Sequence, residues 1–415
     1  MILIKNVKIL GDKESNVLIE GNKISSINGE IDKSDIVIDG KDKALIPGLM
    51  NCHTHAAMVL FRSYAEDMYL HEWLEKKIWP AERKLDEKAV YYGTKLACIE
   101  MLKSGCTFFN DMYFYAEAIA KAVEDTGIRA CISSAFFDFF DKDLLEKNIK
   151  RVERDVKALK KYERVLPAVG PHAVYTVSLE GLRMAKEIAD EYNAFIHFHL
   201  AETEREVVEF KKKHGKSIVS ALDEIGFLCD KLICAHSVWL DENEIELLSK
   251  RGVNVAHCPT SNMKLCVGKA LNYSLMRKYN VNVTLGTDGA ASNNNLDMFE
   301  EMKFASLLQK FYYNDPTIVK AREIFNMATS NPAKAFKLKV GEIKEGYLAD
   351  LVLIDLKKPY MIPGHDFISD LVYSANSSCV DTVIVDGKVL VENGKFEGEE
   401  EVYEKVKEIA FKLVE

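Results

Sequence analysis

Four short stretches carry side chains able to bind a metal and move protons: Asn51-Cys52-His53-Thr54-His55, Phe198-His199-Leu200-Ala201-Glu202, Ala235-His236-Ser237 and Gly286-Thr287-Asp288-Gly289. His53 and His55 are two residues apart, so on a strand their side chains share a face; the same holds for His197 and His199, of which only one need face a metal. Neutral imidazoles and a carboxylate suit Zn²⁺, with Fe²⁺ as the alternative. Three histidines and Asp288 leave a coordination position for water, which a metal so placed acidifies into a nucleophile. Glu202, three residues after His199, is placed to pass a proton to a ring nitrogen. Burial would raise its pKa and a nearby metal would lower it, and the sequence leaves that balance open. His236 is a candidate to hold the attacking water or steady a tetrahedral intermediate. Asp288 is a candidate both to bind the metal and to take the water's proton.

Each of these groups follows an apolar, β-branched-rich run: residues 44–50, 195–196, 231–234 and 281–285. Such runs read as buried parallel strands. Ligands at the carboxyl ends of several strands predict an α/β fold, a (β/α)8 TIM-type barrel with its site at that end. Alternating segments at residues 1–10, 16–20 and 23–27 return in kind at 346–355 and 382–391, which predicts a small β-sandwich domain built from both termini. The expected division is 1–48 for the first part of the sandwich, 49–338 for the metal-dependent barrel, and 339–415 for the second part. That last segment ends in a charged amphipathic helix over 399–415.

Composition narrows the function classes. At 415 residues, 48% hydrophobic and 29% charged, the chain reads as a globular enzyme. A net charge of −9 disfavours a nucleic-acid partner and leaves a small molecule as the substrate. No apolar run is long enough to span a bilayer, and no signal peptide is legible at the N-terminus. Nine cysteines, an odd number without a CxxC pair, predict reduced thiols and a cytoplasmic location.

A single histidine is as often a hydrogen-bonded core residue as a ligand. His71, His214 and His365 stay on that side, and His257 is either a support behind the site or structural. Cys258-Pro259 lacks the second cysteine of a PCxxC metal arm. Nothing before Pro171-His172 offers a lysine to bridge two metals, so one divalent metal per subunit is expected. The ordered set of HxH, HxxE, His and Asp is what makes coincidence improbable.

With those motifs, Pro47-Gly48-Leu49-Met50-Asn51-Cys52-His53-Thr54-His55 and the stretch at 341–352 resemble the amidohydrolase superfamily. Residues 55–62, 74–82 and 170–176 are similar to its 5-methylthioadenosine/S-adenosylhomocysteine deaminase group, which includes the 5′-deoxyadenosine deaminases. The resemblance implies that His53, His55, His199 and Asp288 bind one divalent metal, usually zinc. It implies Glu202 as the proton shuttle, His236 as an assistant at the water, Glu82 on the ribose hydroxyls and His172 on the nucleoside. Taken alone, Glu82 would read as a solvated residue at a helix start after Trp79-Pro80. Trp73 and Trp79 would wall the purine or simply pack. The implied reaction is hydrolytic deamination of the adenine ring of 5′-modified adenosines to inosine derivatives and ammonia. The region after the third barrel strand, 131–140, is aromatic and without the arginine that some relatives carry there, which predicts an apolar 5′ pocket unless an arginine from elsewhere in the chain or from a neighbouring subunit serves the larger, carboxylate-bearing substrate. Alternatives are a guanine or triazine deaminase and, lower, a non-catalytic scaffold. A homo-oligomer, with a homotetramer as one form, is implied by the resemblance alone.

Overall fold

The computed structural model describes residues 1–29 and 34–414. Eight parallel strands run in chain order around a barrel: β1 (Leu49–Thr54), β2 (Cys106–Tyr113), β3 (Arg129–Phe136), β4 (Val165–Pro171), β5 (Phe195–Leu200), β6 (Leu232–His236), β7 (Asn254–His257) and β8 (Asn282–Leu285). Every residue of β1, β2, β5, β6 and β7 is buried, as expected of strands covered on both faces. Helices between them turn an apolar stripe inward. The helix Lys142–Leu159 buries Leu145, Val152, Val156 and Leu159 at helical spacing and leaves its lysines and glutamates outside.

β1 and β8 close the barrel through specific bonds rather than a regular ladder. The Asn51 side chain accepts from the Thr287 N–H at 3.0 Å and donates to the Thr287 hydroxyl at 2.7 Å. One step further, the Asp288 N–H donates to the His53 carbonyl at 2.9 Å. Gly286 makes that approach possible: a Cβ there would stand 2.7 Å from both the N and Cβ of His53.

The apolar run at 44–50, expected as one strand, is two. Lys43–Pro47 belongs to an outer sheet, where it pairs with Leu351–Asp355, and β1 starts only at Leu49. The switch sits at Gly48, whose N–H donates to the Asp350 carbonyl while the Leu49 N–H donates to the Gly105 carbonyl. A Cβ on Gly48 would lie 2.0 Å from the Thr107 hydroxyl oxygen, so only glycine fits.

The outer sheet has nine strands drawn from both chain ends. Ile2–Ile9, Glu14–Glu20, Lys23–Ile27, Ile36–Asp39 and Lys43–Pro47 join Leu351–Asp355, Val380–Val385, Lys388–Glu392 and Lys395–Phe396. It is mostly antiparallel, with parallel pairing where Ile2–Ile9 meets Ile36–Asp39 and Lys43–Pro47. Arg129 at the base of β3 pins this sheet to the barrel by ion pairs to Asp350, at 2.8 Å, and to Asp386. The final helix, Glu399–Val414, packs on Glu87–Lys103 and buries Val402, Val406 and Leu413; Glu415 lies outside the described residues.

Candidate active site

The predicted ligands come together at the carboxyl ends of β1, β5 and β8. The Nε2 atoms of His53 and His55 each lie 3.3 Å from Asp288 Oδ1, and those of His55 and His199 lie 3.3 Å apart. Ligand atoms of His53, His55 and Asp288 fall within 4.8 Å of one another, as do those of His53, His199 and His236. Two sets sharing His53 define one centre, with His236 closer to it than the sequence required.

The ring orientations follow from what each Nδ1 meets. His55 Nδ1 is 2.6 Å from the Met112 carbonyl oxygen and His199 Nδ1 is 2.9 Å from that of His172. A carbonyl only accepts, so both Nδ1 atoms are protonated and both Nε2 atoms present lone pairs to the centre. His236 Nδ1 is likewise 2.9 Å from Asn262 Oδ1. Behind His53, the Ser133 hydroxyl donates to the Asp111 carbonyl and sits 3.5 Å from His197 Nδ1. His197 therefore accepts from His53 Nδ1 at 2.7 Å, so His197 supports a ligand while His199 faces the centre.

His53 Nε2 is then a buried lone pair with no hydrogen-bond partner. Leaving such an atom unpaired is costly, and a divalent cation satisfies it. Burial pushes His53 down to about 4 and His199 well below its ordinary value, keeping both neutral as metal binding requires. Asp288 Oδ2 accepts from the hydroxyls of Ser261 at 2.6 Å and Ser292 at 2.9 Å, which leaves Oδ1 toward the centre. The residues present fit a single divalent metal.

The local backbone is unusual. Ala201, His236, Ser237 and Asp288 all take left-handed φ, at 48°, 66°, 53° and 64°. Each non-glycine residue in that region costs about 1–3 kcal/mol, and such strain collects where side-chain direction matters.

Glu202 follows β5 and is buried beside His236, with Oε2 3.9 Å from His236 Nε2. Burial raises its pKa, the His236 charge opposes this, and Asp288 adds to it, for a net rise. Burial opposes protonation of His236, yet Glu202 and Asp288 together raise its pKa. Glu206, which the sequence reading passed over, fixes this loop: its carboxylate accepts from the Ala201 N–H at 3.2 Å and the Glu202 N–H at 2.9 Å.

Glu82 is not a solvated helix-start residue. It ends the short helix Trp79–Glu82 and faces the same cleft, where its carboxylate accepts from the Tyr113 hydroxyl at 2.7 Å. Burial pushes it up to about 7 against that hydrogen bond. His172 also lines the cleft, with Nδ1 2.8 Å from the Thr176 hydroxyl; burial lowers it to about 3. Trp73 and Trp79 form part of the wall, and Trp73 is tied by its indole N–H to the Ala65 carbonyl. The cleft, about 660 Å³ including its open mouth, thus holds all the predicted groups on its lining except His53, which lies beneath. His257, buried with both ring nitrogens unpartnered, does not reach it.

Tyr113, Glu206, Asn262, Ser261 and Ser292 carried no sequence signal beyond residue type. The exception is Glu206, which stands three residues after Thr203, the spacing of a capping box at a helix start.

The profile of the amidohydrolase family matches residues 44–390. Over 419 aligned residues the chain is 66% identical to a protein of Archaeoglobus fulgidus named 5-methylthioadenosine/S-adenosylhomocysteine deaminase 1, covering 100% of this chain and 99% of that protein. It is 48% identical to a Methanocaldococcus jannaschii protein named 5′-deoxyadenosine deaminase, with 99% of each covered. A solved structure of an adenosine deaminase from Xanthomonas campestris with bound zinc superposes at a TM-score of 0.93, with 31% identity over 99% of this chain and 98% of that one. A barrel whose strand ends gather these histidines and Asp288, joined to a sheet from both chain ends, accompanies a family match over most of its length: the chain belongs to the amidohydrolase family.

Proposed function

We propose that this protein hydrolytically deaminates the adenine ring of 5′-modified adenosines, releasing ammonia and the corresponding inosine derivative. The observation that carries the reading is one cleft lined at once by metal-ligand atoms, a buried carboxyl of raised pKa at Glu202, and a second carboxylate at Glu82. Its full-length relatives named as deaminases of 5′-deoxyadenosine, methylthioadenosine and S-adenosylhomocysteine support the same substrate class.

His53, His55, His199 and Asp288 would hold one divalent metal, for which zinc is the choice the Xanthomonas structure favours. Such a metal would supply an acidified water and stabilise negative charge on the oxygen added at C6. Glu202 donates its proton to N1 of the purine, which makes C6 electrophilic, and the burial that raises its pKa favours the protonated form this step needs. Asp288 accepts the proton that leaves the attacking water. His236, held by Asn262, steadies the developing oxyanion at C6. Asp288 then passes that proton to the amino group, the C6–N bond breaks to release ammonia, and the remaining hydroxyl proton returns to Glu202, leaving a carbonyl at C6 and hydrogen on N1.

Glu82 accepts two hydrogen bonds from the ribose 2′ and 3′ hydroxyls, and His172 contacts the nucleoside. A free base such as guanine, or a triazine, offers Glu82 nothing, so the nucleoside reading is preferred over those substrates. We further place the protein in the cytoplasm as a homo-oligomer. All nine cysteines are free, and the helix Met298–Tyr312 exposes Leu307 and Phe311 on one face. No described helix is long and apolar enough to cross a membrane. Ammonia release from metal-loaded protein supplied with adenosine derivatives tests the activity, and light scattering tests the assembly.

A further inference from the structure

The metal-side cleft does not end at Glu82. Trp79, Glu82, Phe114, Ala135 and Phe137 line both it and an adjoining, wider cleft of about 2480 Å³ including open solvent. With C6 at the metal end and the ribose hydroxyls on Glu82, the 5′ carbon stands one sugar ring away. Its substituent therefore enters the junction between the two clefts.

Phe139 stands over that junction. Its ring stacks on Phe137 with centroids 5.7 Å apart and planes 11° apart, and meets Trp79 edge-on at 6.4 Å. Yet the side chain is 54% exposed, so its contacts within the protein are few. Phe139 and Phe140 both take left-handed φ, at 46° and 64°, which is an outlier conformation for bulky residues. Core packing does not repay strain in a ring that is half exposed. The turn is instead imposed by its surroundings. Buried Asp138 accepts from the Phe140 N–H at 2.8 Å, the Ser178 N–H at 3.0 Å and the Ser178 hydroxyl at 2.7 Å. The N–H groups of Asp138 and Phe139 both donate to the Thr176 carbonyl. Thr176 also meets His172 Nδ1, so one loop sets both Phe139 and a nucleoside-facing side chain. Strain held by such a clamp, in a residue with an unsatisfied apolar face over a cleft, marks a ligand contact.

We propose that Phe139 is a specificity-determining residue for the 5′ substituent: with Trp79 and Phe137 it forms an aromatic clamp that favours a methyl or thioether group over the hydroxyl of adenosine. The inference rests on the deaminase reading above. A thioether sulfur packs well against ring edges, and a methyl group gains by burial. A hydroxyl at the same place gives up part of its hydration to the ring faces and gains none of the apolar contact that a methyl or thioether gains there.

The test is steady-state kinetics of the full-length, metal-loaded protein and its F139A and F139W variants on 5′-methylthioadenosine, 5′-deoxyadenosine and adenosine. Phe139 is half exposed, so F139A is expected to fold and to keep its metal. In F139A, kcat/KM for the methylthio and 5′-deoxy substrates falls about 10-fold or more, chiefly through KM, while adenosine changes little. F139W retains the preference. Equal losses on all three substrates, or an unchanged ratio in F139A, overturn the assignment while leaving the deaminase reading intact. Absence of turnover on all three by the unaltered protein overturns both.

Discussion

The backbone N–H of Asp288 donates to the carbonyl of His53 across 2.9 Å, joining the last barrel strand to the first at the point where both residues face the candidate metal site. Barrel closure and ligand placement are therefore one event. A change that loosens the seam between these strands loosens the site with it.

Gly286 is where that dependence is most exposed. Gly286→Ala places a methyl group 2.7 Å from His53 backbone and Cβ atoms, and overpacking of this kind costs about 1–3 kcal/mol. Thermal unfolding and bound-metal content, measured on the same samples, are expected to fall together. A variant that melts lower but keeps its full metal complement would show that the seam does not set the ligands.

Ser261 and Ser292 turn Asp288 so that Oδ1 faces the histidines. Removing both hydroxyls leaves the ligand in place but free to rotate. Metal affinity in the double alanine variant is expected to drop about 10–100-fold, as read by competition with a chelator. An unchanged affinity would contradict the orienting role.

Glu202→Gln keeps the size and the backbone bonds from Glu206 but removes the transferable proton. Turnover is expected to fall by about 10²–10⁴ with metal content intact. Near-normal turnover would remove Glu202 from the proton path.

Glu82 carries a pH signature. Burial raises its pKa to about 7, and only the ionised form accepts both ribose hydroxyls. Below that pKa it is protonated, so kcat/KM for nucleosides is expected to climb as pH rises through about 7. In Glu82→Gln that limb disappears along with most nucleoside binding. A profile whose limb persists in the variant would assign it to another group.

Much of the site was legible because strand ends advertise themselves. His53, His55, His199, His236 and Asp288 each follow a buried run, and in a parallel barrel those positions open at one end. Pairings across the chain were not legible. Asn51 meets Thr287 across 236 positions, Asn262 orients His236 from the next strand's loop, and Tyr113 meets Glu82 from β2. No local pattern encodes such contacts. The change of sheet at Gly48 falls at the 48/49 division drawn from the sequence, but the run of 44–50 does not mark it as two strands, because residues on both sides are equally apolar. The closeness of Thr107 that requires glycine there is a long-range contact. Glu82 was misleading by itself, since its neighbours Trp79 and Pro80 also suit a solvated helix start.

The most direct test offers the metal-loaded protein 5′-deoxyadenosine, 5′-methylthioadenosine, S-adenosylhomocysteine, adenosine and guanine side by side and measures ammonia. The expected result is release from the adenosines, fastest for those with an apolar 5′ group, and none from guanine. Silence on every adenosine, or release from guanine alone, would contradict the account.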